Sequence, residues 1–253
     1  MALGVSAAVV LVATSLLALH GHVPKFDASL TNSLVRDEGS GWFTFGDKVS
    51  LISSGPSVGL IALGFAAWVW WKFRDVALAA VVPLATGLGG ISELAGKQIV
   101  GRLRPPSAVL IGEDGFGFPS GHTTGYTALA FSLVFVMIAL RATPPRKTPA
   151  AAPHETAPHE TAPHGAKPSP ARGASQAARA TLLALAFGTS IVVAISRVLV
   201  GAHRALDVIA GLALGIVSAA VATLIAQPGA RRFVNRFIDP FTSSTLQSPS
   251  IQR

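Results

Sequence analysis

Six long apolar stretches, almost free of charged residues, alternate with polar segments along the chain. A helix needs about 20 largely apolar residues to cross the hydrocarbon core of a bilayer, and each stretch reaches or approaches that length. The pattern therefore predicts an all-α, polytopic membrane protein with six transmembrane helices. The predicted spans are residues 2–19, 54–71, 76–96, 121–140, 179–198 and 206–226.

The first stretch has a cleaved signal peptide as its alternative interpretation. No Lys or Arg precedes it, and its apolar run is longer than the hydrophobic core of a typical signal peptide. Because five further spans follow, we interpret residues 2–19 as the first transmembrane helix.

The composition agrees with a membrane protein. Half of the 253 residues are hydrophobic, the mean hydropathy is +0.53 and only 13% of the residues are charged, whereas soluble domains carry roughly 25%. The chain has no cysteine, which excludes disulfide bonds and thiolate metal sites. Its net charge of +8 lies in loops beside apolar stretches rather than along an aromatic groove, so nucleic-acid binding is not expected.

The Lys and Arg residues are divided unevenly between the two sets of loops. With the amino terminus in the cytoplasm, the inside segments hold 12 of the 20 basic residues and the outside loops hold 8. Cytoplasmic loops are generally richer in Lys and Arg, which favours a plasma-membrane protein with both termini inside. The loops after the third and fifth spans then lie at the outer membrane–water boundary.

Two polar segments between the spans have distinctive compositions. Residues 20–53 form a longer external segment, whose Trp42, Phe43 and Phe45 either anchor it at the membrane interface or shape a lipid entrance. Residues 142–178 are rich in Pro and Ala and repeat the pentad A-P-H-E-T. Since such a composition cannot bury a core, we expect a disordered cytoplasmic linker, with metal binding by its regularly spaced histidines as the alternative.

The predicted domain organisation follows from these segments. A six-span domain covers residues 1–230, interrupted by the linker, and residues 231–253 form a basic, polar tail. Gly211 and Gly215 in the sixth span predict close contact with another helix. Glu93 and Lys97, one helical turn apart, are expected to pair.

Three short polar motifs lie at the edges of the apolar stretches, where cationic and imidazole groups are costly to place and usually functional. The first, KQIVGRLRP, runs from Lys97 to Pro105. Lys97 and Arg104 are seven residues apart, or two helical turns, so we expect both on one helix face, with Pro105 ending the helix. The pair predicts an anion site, and basic side chains reaching from the membrane edge to water are the alternative.

The second motif, Pro119-Ser120-Gly121-His122, directly precedes the fourth span. Ser120 is expected to cap that helix, whose first N–H groups are suited to bind an anion. Gly121 would let a phosphate approach the backbone closely. The alternative is an ordinary Ser-Gly helix start without a ligand.

The third motif begins at Ser196 and contains Arg197, His203 and Asp207. The last two are one helical turn apart, so the carboxylate can accept a hydrogen bond from one imidazole nitrogen and leave the other free to attack. A surface histidine beside an aspartate at a helix start is the alternative. The neighbouring Arg204 is expected to contact headgroups or solvent.

Together the three motifs specify eleven positions in order: Lys-x6-Arg-Pro, Pro-Ser-Gly-His and Ser-Arg-x5-His-x3-Asp. This pattern resembles that of the type-2 phosphatidic-acid phosphatase (lipid phosphate phosphatase) superfamily, in its integral-membrane branch. The resemblance covers residues 1–230 apart from the linker, and no specified position departs from the pattern.

The resemblance implies roles for the motif residues. His203 would attack phosphorus to give a phosphohistidine, Asp207 would orient it, and His122 would act as general acid and then activate water. Because the two histidines need opposite protonation states, a bell-shaped pH–rate profile is expected. No metal or other cofactor is required. The residues that would hold the phosphate oxygens are Lys97, Arg104, Ser120, Gly121 and Arg197.

We therefore expect metal-independent hydrolysis of a lipid phosphate or pyrophosphate, with the bilayer as the surrounding partner. Undecaprenyl pyrophosphate is the first candidate, because an outward site is where that carrier is released, and phosphatidic acid and phosphatidylglycerol phosphate follow. One alternative is a phosphotransferase that uses an alcohol acceptor. The other is a non-enzymatic lipid-binding or scaffold protein, which would need no oriented imidazole.

Overall fold

The computed structural model describes residues 2–19, 25–142 and 170–226. Helices make up nearly all the regular structure of this part of the chain, and Leu103 and Phe116 form an isolated β-bridge. The helices are α1 (Ala2–Leu19), α2 (Lys25–Leu34), α3 (Gly41–Ile52), α4 (Gly55–Phe73), α5 (Val76–Val100), a 3₁₀ helix (Pro106–Ile111), α6 (Gly121–Ala142), α7 (Pro170–Leu199) and α8 (Ala205–Ala226).

The predicted all-α membrane architecture is confirmed. Helices α4, α5, α6, α7 and α8 are each long and apolar enough to cross a membrane, and α1 is a shorter apolar helix. These six helices coincide with the six predicted spans to within a few residues, except that α7 begins earlier. The count of six is therefore approximate, since α1 is shorter than the other five.

Helix α8 is the central element of the bundle and packs against α1, α5 and α6. Its contact with α6 depends on glycine: a Cβ atom on Gly215 would lie 2.6 Å from the Cβ of Thr127 and 2.7 Å from the Thr124 carbonyl oxygen. A methyl group cannot be accommodated at those distances without moving a helix backbone. The close contact predicted for Gly211 and Gly215 is confirmed.

The carboxyl-terminal end of α5 differs from the prediction. The helix stops at Val100, because Gly101 adopts a left-handed conformation (φ 61°) and donates its N–H to the Lys97 carbonyl. Arg104 therefore lies in the irregular segment after the helix. The expectation that Lys97 and Arg104 share a helix face, with Pro105 ending it, was wrong.

The polar segments also contain helices. Residues 20–53 include α2 and α3, and α3 packs against α7. Trp42 on α3 is 63% exposed, as an interfacial anchor would be, whereas Phe43 lines a cavity. Of the predicted linker, residues 170–178 are helical and belong to α7, while 143–169 lie outside the described residues, as do 227–253.

All three motifs lie at one end of the bundle. They occupy the carboxyl-terminal ends of α5 and α7 and the amino-terminal ends of α6 and α8. The Ser120 N–H donates a hydrogen bond of 3.0 Å to the Asp207 carbonyl oxygen, which joins the second motif to the third.

Candidate active site

His203 is fully buried in the turn between α7 and α8. Its N–H and that of Ala202 both donate to the Arg197 carbonyl oxygen, at 3.2 and 3.1 Å. Gly201 permits the turn by adopting a φ of 73°. The backbone therefore fixes the predicted nucleophile to the end of α7, next to a predicted phosphate ligand.

The two imidazole nitrogens of His203 face groups of opposite charge. Nε2 lies 3.0 Å from Nη1 of Arg104, and Nδ1 lies 3.7 Å from Oδ2 of Asp207. A guanidinium can only donate, so this contact requires a lone pair on Nε2 and leaves the proton on Nδ1, facing the carboxylate. The distance to Asp207 is longer than a hydrogen bond, so the carboxylate faces the ring without bonding to it.

The surroundings of His203 favour a neutral imidazole. Burial lowers the pKa of His203, and Arg104 acts in the same direction, while the Asp207 carboxylate opposes them. Because its pKa is lowered, the ring is neutral at physiological pH and Nε2 carries a lone pair.

Asp207 is held by a buried network that was not predicted. Its Oδ1 accepts a hydrogen bond of 2.7 Å from Nη1 of Arg102, and its Oδ2 accepts one of 2.9 Å from the Arg204 N–H. Arg102 also forms an ion pair with the buried Asp27 of α2. Asp27 in turn accepts a 2.9 Å hydrogen bond from the Leu206 N–H, at the start of α8.

The sequence carried a signal for one of these residues. Arg102 lies inside the first motif, and its position beside an apolar span marks it as a costly cation, whereas no local pattern distinguishes Asp27. The Arg204 side chain was expected to face headgroups or solvent. Its guanidinium donates to the Leu103 carbonyl oxygen at 2.5 Å, in an exposed hydrogen bond that is compatible with solvent contact.

Arg104 and Arg197, two predicted phosphate ligands, are brought together around the carboxylate of Glu113. Nη1 of Arg104 lies 2.6 Å from Oε2 of Glu113. Arg197 forms an ion pair with Oε1 of the same carboxylate and donates to the Ser50 hydroxyl. Glu113 was not predicted as a site residue, since its contact with Arg197 spans 84 residues of sequence.

Glu113 is ionised in this setting. Burial by itself raises the pKa of its carboxyl, but the Arg197 and Arg104 guanidiniums outweigh burial, and the pKa lies below its usual value. A carboxylate at neutral pH therefore lies between the two cations.

Lys97 has a carboxylate partner too. Its Nζ lies 2.5 Å from Oε1 of Glu93, which confirms the predicted pairing along α5. A Cβ atom on Gly121 would lie 2.8 Å from the same oxygen. The group that approaches Gly121 closely is thus the Glu93 carboxylate, where a phosphate was expected.

Ser120 directly precedes α6 and is fully buried. Its hydroxyl accepts a 3.1 Å hydrogen bond from the Thr123 hydroxyl, and its carbonyl accepts one of 2.9 Å from the Thr124 N–H in the first turn. With its own N–H bonded to Asp207, Ser120 connects α6 to α8.

His122, in the first turn of α6, lines two cavities. One is a groove of about 560 Å³ between α4, α5 and α6, which Lys97 and Arg104 also line. The other measures about 330 Å³ and is lined by Glu113 and Arg197 among others. His122 therefore shares one cavity with Lys97 and Arg104 and the other with Arg197.

The walls of the larger groove are mostly apolar and rich in glycine. Gly59, Gly87 and Gly90 line it, and a Cβ atom on any of them would meet nothing within 4 Å. The groove thus combines an apolar wall between candidate membrane-spanning helices with a cationic end, which suits a molecule with a hydrocarbon chain and an anionic head.

Two solved structures are similar to the chain, and no curated protein matches it. The PAP2-type phosphatidylglycerolphosphate phosphatase of Bacillus subtilis is 16% identical, with a TM-score of 0.66 over 88% of this chain and 95% of that one. LpxE of Aquifex aeolicus is 17% identical, with a TM-score of 0.44 over 82% of this chain and 90% of that one. The first comparison supports the fold.

The PAP2 superfamily model matches residues 76–230, which is more than half of the chain and includes all three motifs. The prediction of a membrane phosphatase made from those motifs is thereby confirmed at the level of the family. The chain belongs to the PAP2 superfamily.

Proposed function

We propose that the protein hydrolyses a lipid phosphate or pyrophosphate through a phosphohistidine intermediate on His203. The observation that carries the proposal is the setting of its imidazole, whose Nε2 lone pair faces Arg104 while Nδ1 faces Asp207. A nucleophilic histidine needs this arrangement, with one nitrogen unprotonated beside the cations that bind phosphate and the other beside a carboxylate.

The reaction has two steps. Nε2 of His203 attacks phosphorus, and the P–N bond forms as the bond to the leaving oxygen breaks, with His122 donating a proton to that oxygen. His122 then takes a proton from water, which attacks the phosphohistidine, releases phosphate and restores the imidazole. Asp207 stabilises the positive charge that develops on the ring.

The three cations at the motif positions supply the charge stabilisation that dominates phosphoryl transfer. Lys97 and Arg104 reach the site from the larger groove, and Arg197 reaches it from the smaller cavity. Ser120 and Gly121 at the amino-terminal end of α6 are the remaining proposed phosphate ligands, although the Glu93 carboxylate lies beside Gly121 and the Ser120 N–H is bonded to Asp207.

A lipid is the substrate class that the larger groove favours, because an apolar, glycine-lined wall leads to the cationic end. Undecaprenyl pyrophosphate is our first candidate, followed by phosphatidic acid and phosphatidylglycerol phosphate. This choice assumes that the site faces outside, which the distribution of Lys and Arg between the loops supports.

The first prediction concerns substrate and metal dependence. Full-length protein in detergent should release phosphate from undecaprenyl pyrophosphate in excess EDTA, since Lys97, Arg104 and Arg197 provide the positive charge. Parallel assays with phosphatidic acid and phosphatidylglycerol phosphate rank the lipids. Activity on those two but not on the prenyl pyrophosphate would remove our first candidate, and a new phospholipid formed from an added alcohol would indicate a transferase.

The second prediction concerns the groove. A Gly59→Leu variant should lower kcat/KM for a long-chain lipid phosphate about 10-fold, because the new side chain enters the space an acyl or prenyl chain would fill. Hydrolysis of a small soluble phosphate ester should be unaffected.

Gly64→Leu is the matched control for this test. Gly64 lies on the same helix, has equally open space around it and does not line the groove. An equal loss on the lipid and the soluble ester, or an equal loss in both variants, would contradict a chain-binding role for the groove.

A further inference from the structure

One carboxylate is ion-paired with two of the cations that we propose bind phosphate. Glu113 contacts Arg197 through Oε1 and Arg104 through Oε2. Carboxylate and phosphate oxygens accept hydrogen bonds from guanidinium groups in the same forked manner. The Glu113 carboxylate thus makes the contacts with both arginines that two oxygens of a bound phosphate would make.

Arg104, while it is paired with Glu113, also contacts the predicted nucleophile, Nε2 of His203. The Nη1 atom of Arg104 that lies 2.6 Å from Glu113 also lies 3.0 Å from Nε2 of His203. In this arrangement the lone pair that must attack phosphorus is occupied by the guanidinium, so Arg104 has to leave Nε2 before in-line attack is possible.

We propose that Glu113 is a displaceable carboxylate that occupies the phosphate position between Arg104 and Arg197, and that substrate binds by competing with it. The inference rests on the proposed function, since it takes the two arginines as phosphate ligands. In consequence, the apparent affinity for phosphate is lower than the intrinsic affinity of the two arginines. It equals that intrinsic affinity multiplied by the fraction of molecules in which Glu113 has left the arginines. Such a site releases product phosphate more readily than an open pair of arginines would.

The position of Glu113 in the chain is compatible with displacement. It lies between two glycines with positive φ, Gly112 (71°) and Gly115 (76°), in the short segment that links the 3₁₀ helix to α6. Its side chain is 26% exposed and lines the smaller cavity. The carboxylate can therefore move towards that cavity without disturbing a helix.

Glu113→Gln tests the proposal, because the amide keeps the shape of the side chain and removes its charge. Orthophosphate and orthovanadate are the probes, and their Kd values are measured by calorimetry on full-length protein in detergent. Both probes should bind about 10-fold more tightly to the variant than to the wild type. In turnover assays KM and the inhibition constant of phosphate should fall together.

Two further variants keep the test decisive. Glu113→Asp retains the charge but is one methylene shorter, so it should hold the two arginines less well and give an intermediate affinity. Glu38→Gln removes an exposed carboxylate elsewhere and controls for the general loss of negative charge. The melting temperature of each variant establishes that it is folded.

The opposite role for Glu113 makes the opposite prediction. If the carboxylate only holds the arginines in place for substrate, folded Glu113→Gln will bind phosphate as weakly as the wild type or more weakly, and the proposal is overturned. Tighter phosphate binding without hydrolysis of any lipid phosphate would support displacement and refute the proposed function. Absence of phosphate binding in both proteins would refute the two together.

Discussion

We expect His203→Gln to abolish turnover while leaving the protein folded and able to bind phosphate. We expect kcat to fall at least ~10³-fold, because loss of a nucleophile removes the whole covalent route. Phosphate affinity should change little, since the variant retains the proposed phosphate ligands Lys97, Arg104 and Arg197. Initial rates of phosphate release test the loss of turnover, and the Kd of orthophosphate for both proteins tests whether phosphate binding is retained.

The covalent intermediate distinguishes His203 from the second histidine. A reaction with ³²P-labelled lipid, quenched rapidly without acid, should leave label on the wild-type protein. Label should also remain on a His122→Gln variant, which forms the phosphohistidine slowly and hydrolyses it slowly. No label should attach to His203→Gln. Label retained in His203→Gln, or full activity of that variant, would assign the nucleophile to another residue.

The membrane helices could be predicted because hydrophobicity is a local property of the chain. A run of apolar residues such as that in α8 can be recognised from the sequence without knowing what it contacts. The segment GLALG likewise predicts a close approach between helices from local sequence alone. The end of α5 was predicted wrongly because a helix ends at the first residue that terminates it, and a glycine precedes the proline here. Gly101, in a left-handed conformation, ends the helix four residues before Pro105.

The motif residues converge as predicted because the loops after the third and fifth spans share one side of the membrane. The partners that neutralise the site could not be predicted in this way. Arg102 and Asp207 are 105 residues apart and Arg102 and Asp27 are 75 apart. Such pairs depend on how helices pack rather than on local spacing, and a single sequence does not display them.

Arg102 is the unpredicted residue whose loss should have the largest effect. It lies between two fully buried carboxylates, bonding to Asp207 at 2.7 Å and pairing with Asp27. In an Arg102→Gln variant both carboxylates lose their cation, so Asp207 is no longer held facing Nδ1 of His203. We expect kcat to fall on the order of 10²-fold with KM nearly unchanged, because Arg102 does not contact the phosphate ligands.

Stability should fall in the same variant, since removing one partner of a buried ion pair costs about 3–5 kcal/mol. Arg36 is half-buried, and its guanidinium donates to the nearby Ser33 and Val35 carbonyls, so its side chain provides the control. Arg36→Gln should leave both the melting temperature and kcat unchanged. Denaturation in detergent and steady-state kinetics on the same preparations give the two readouts.

A second substitution separates the structural role of Arg102 from its role in positioning Asp207. Asp27→Asn combined with Arg102→Gln removes one negative and one positive charge together, so the net charge of the buried network returns to its wild-type value and part of the lost stability should return. Activity should not return with it, because nothing in the double variant bonds to Oδ1 of Asp207 as Arg102 does. Recovery of kcat along with the melting temperature would mean that Arg102 serves only to stabilise the fold, and that the Arg204 N–H alone is sufficient to hold Asp207 against the nucleophile.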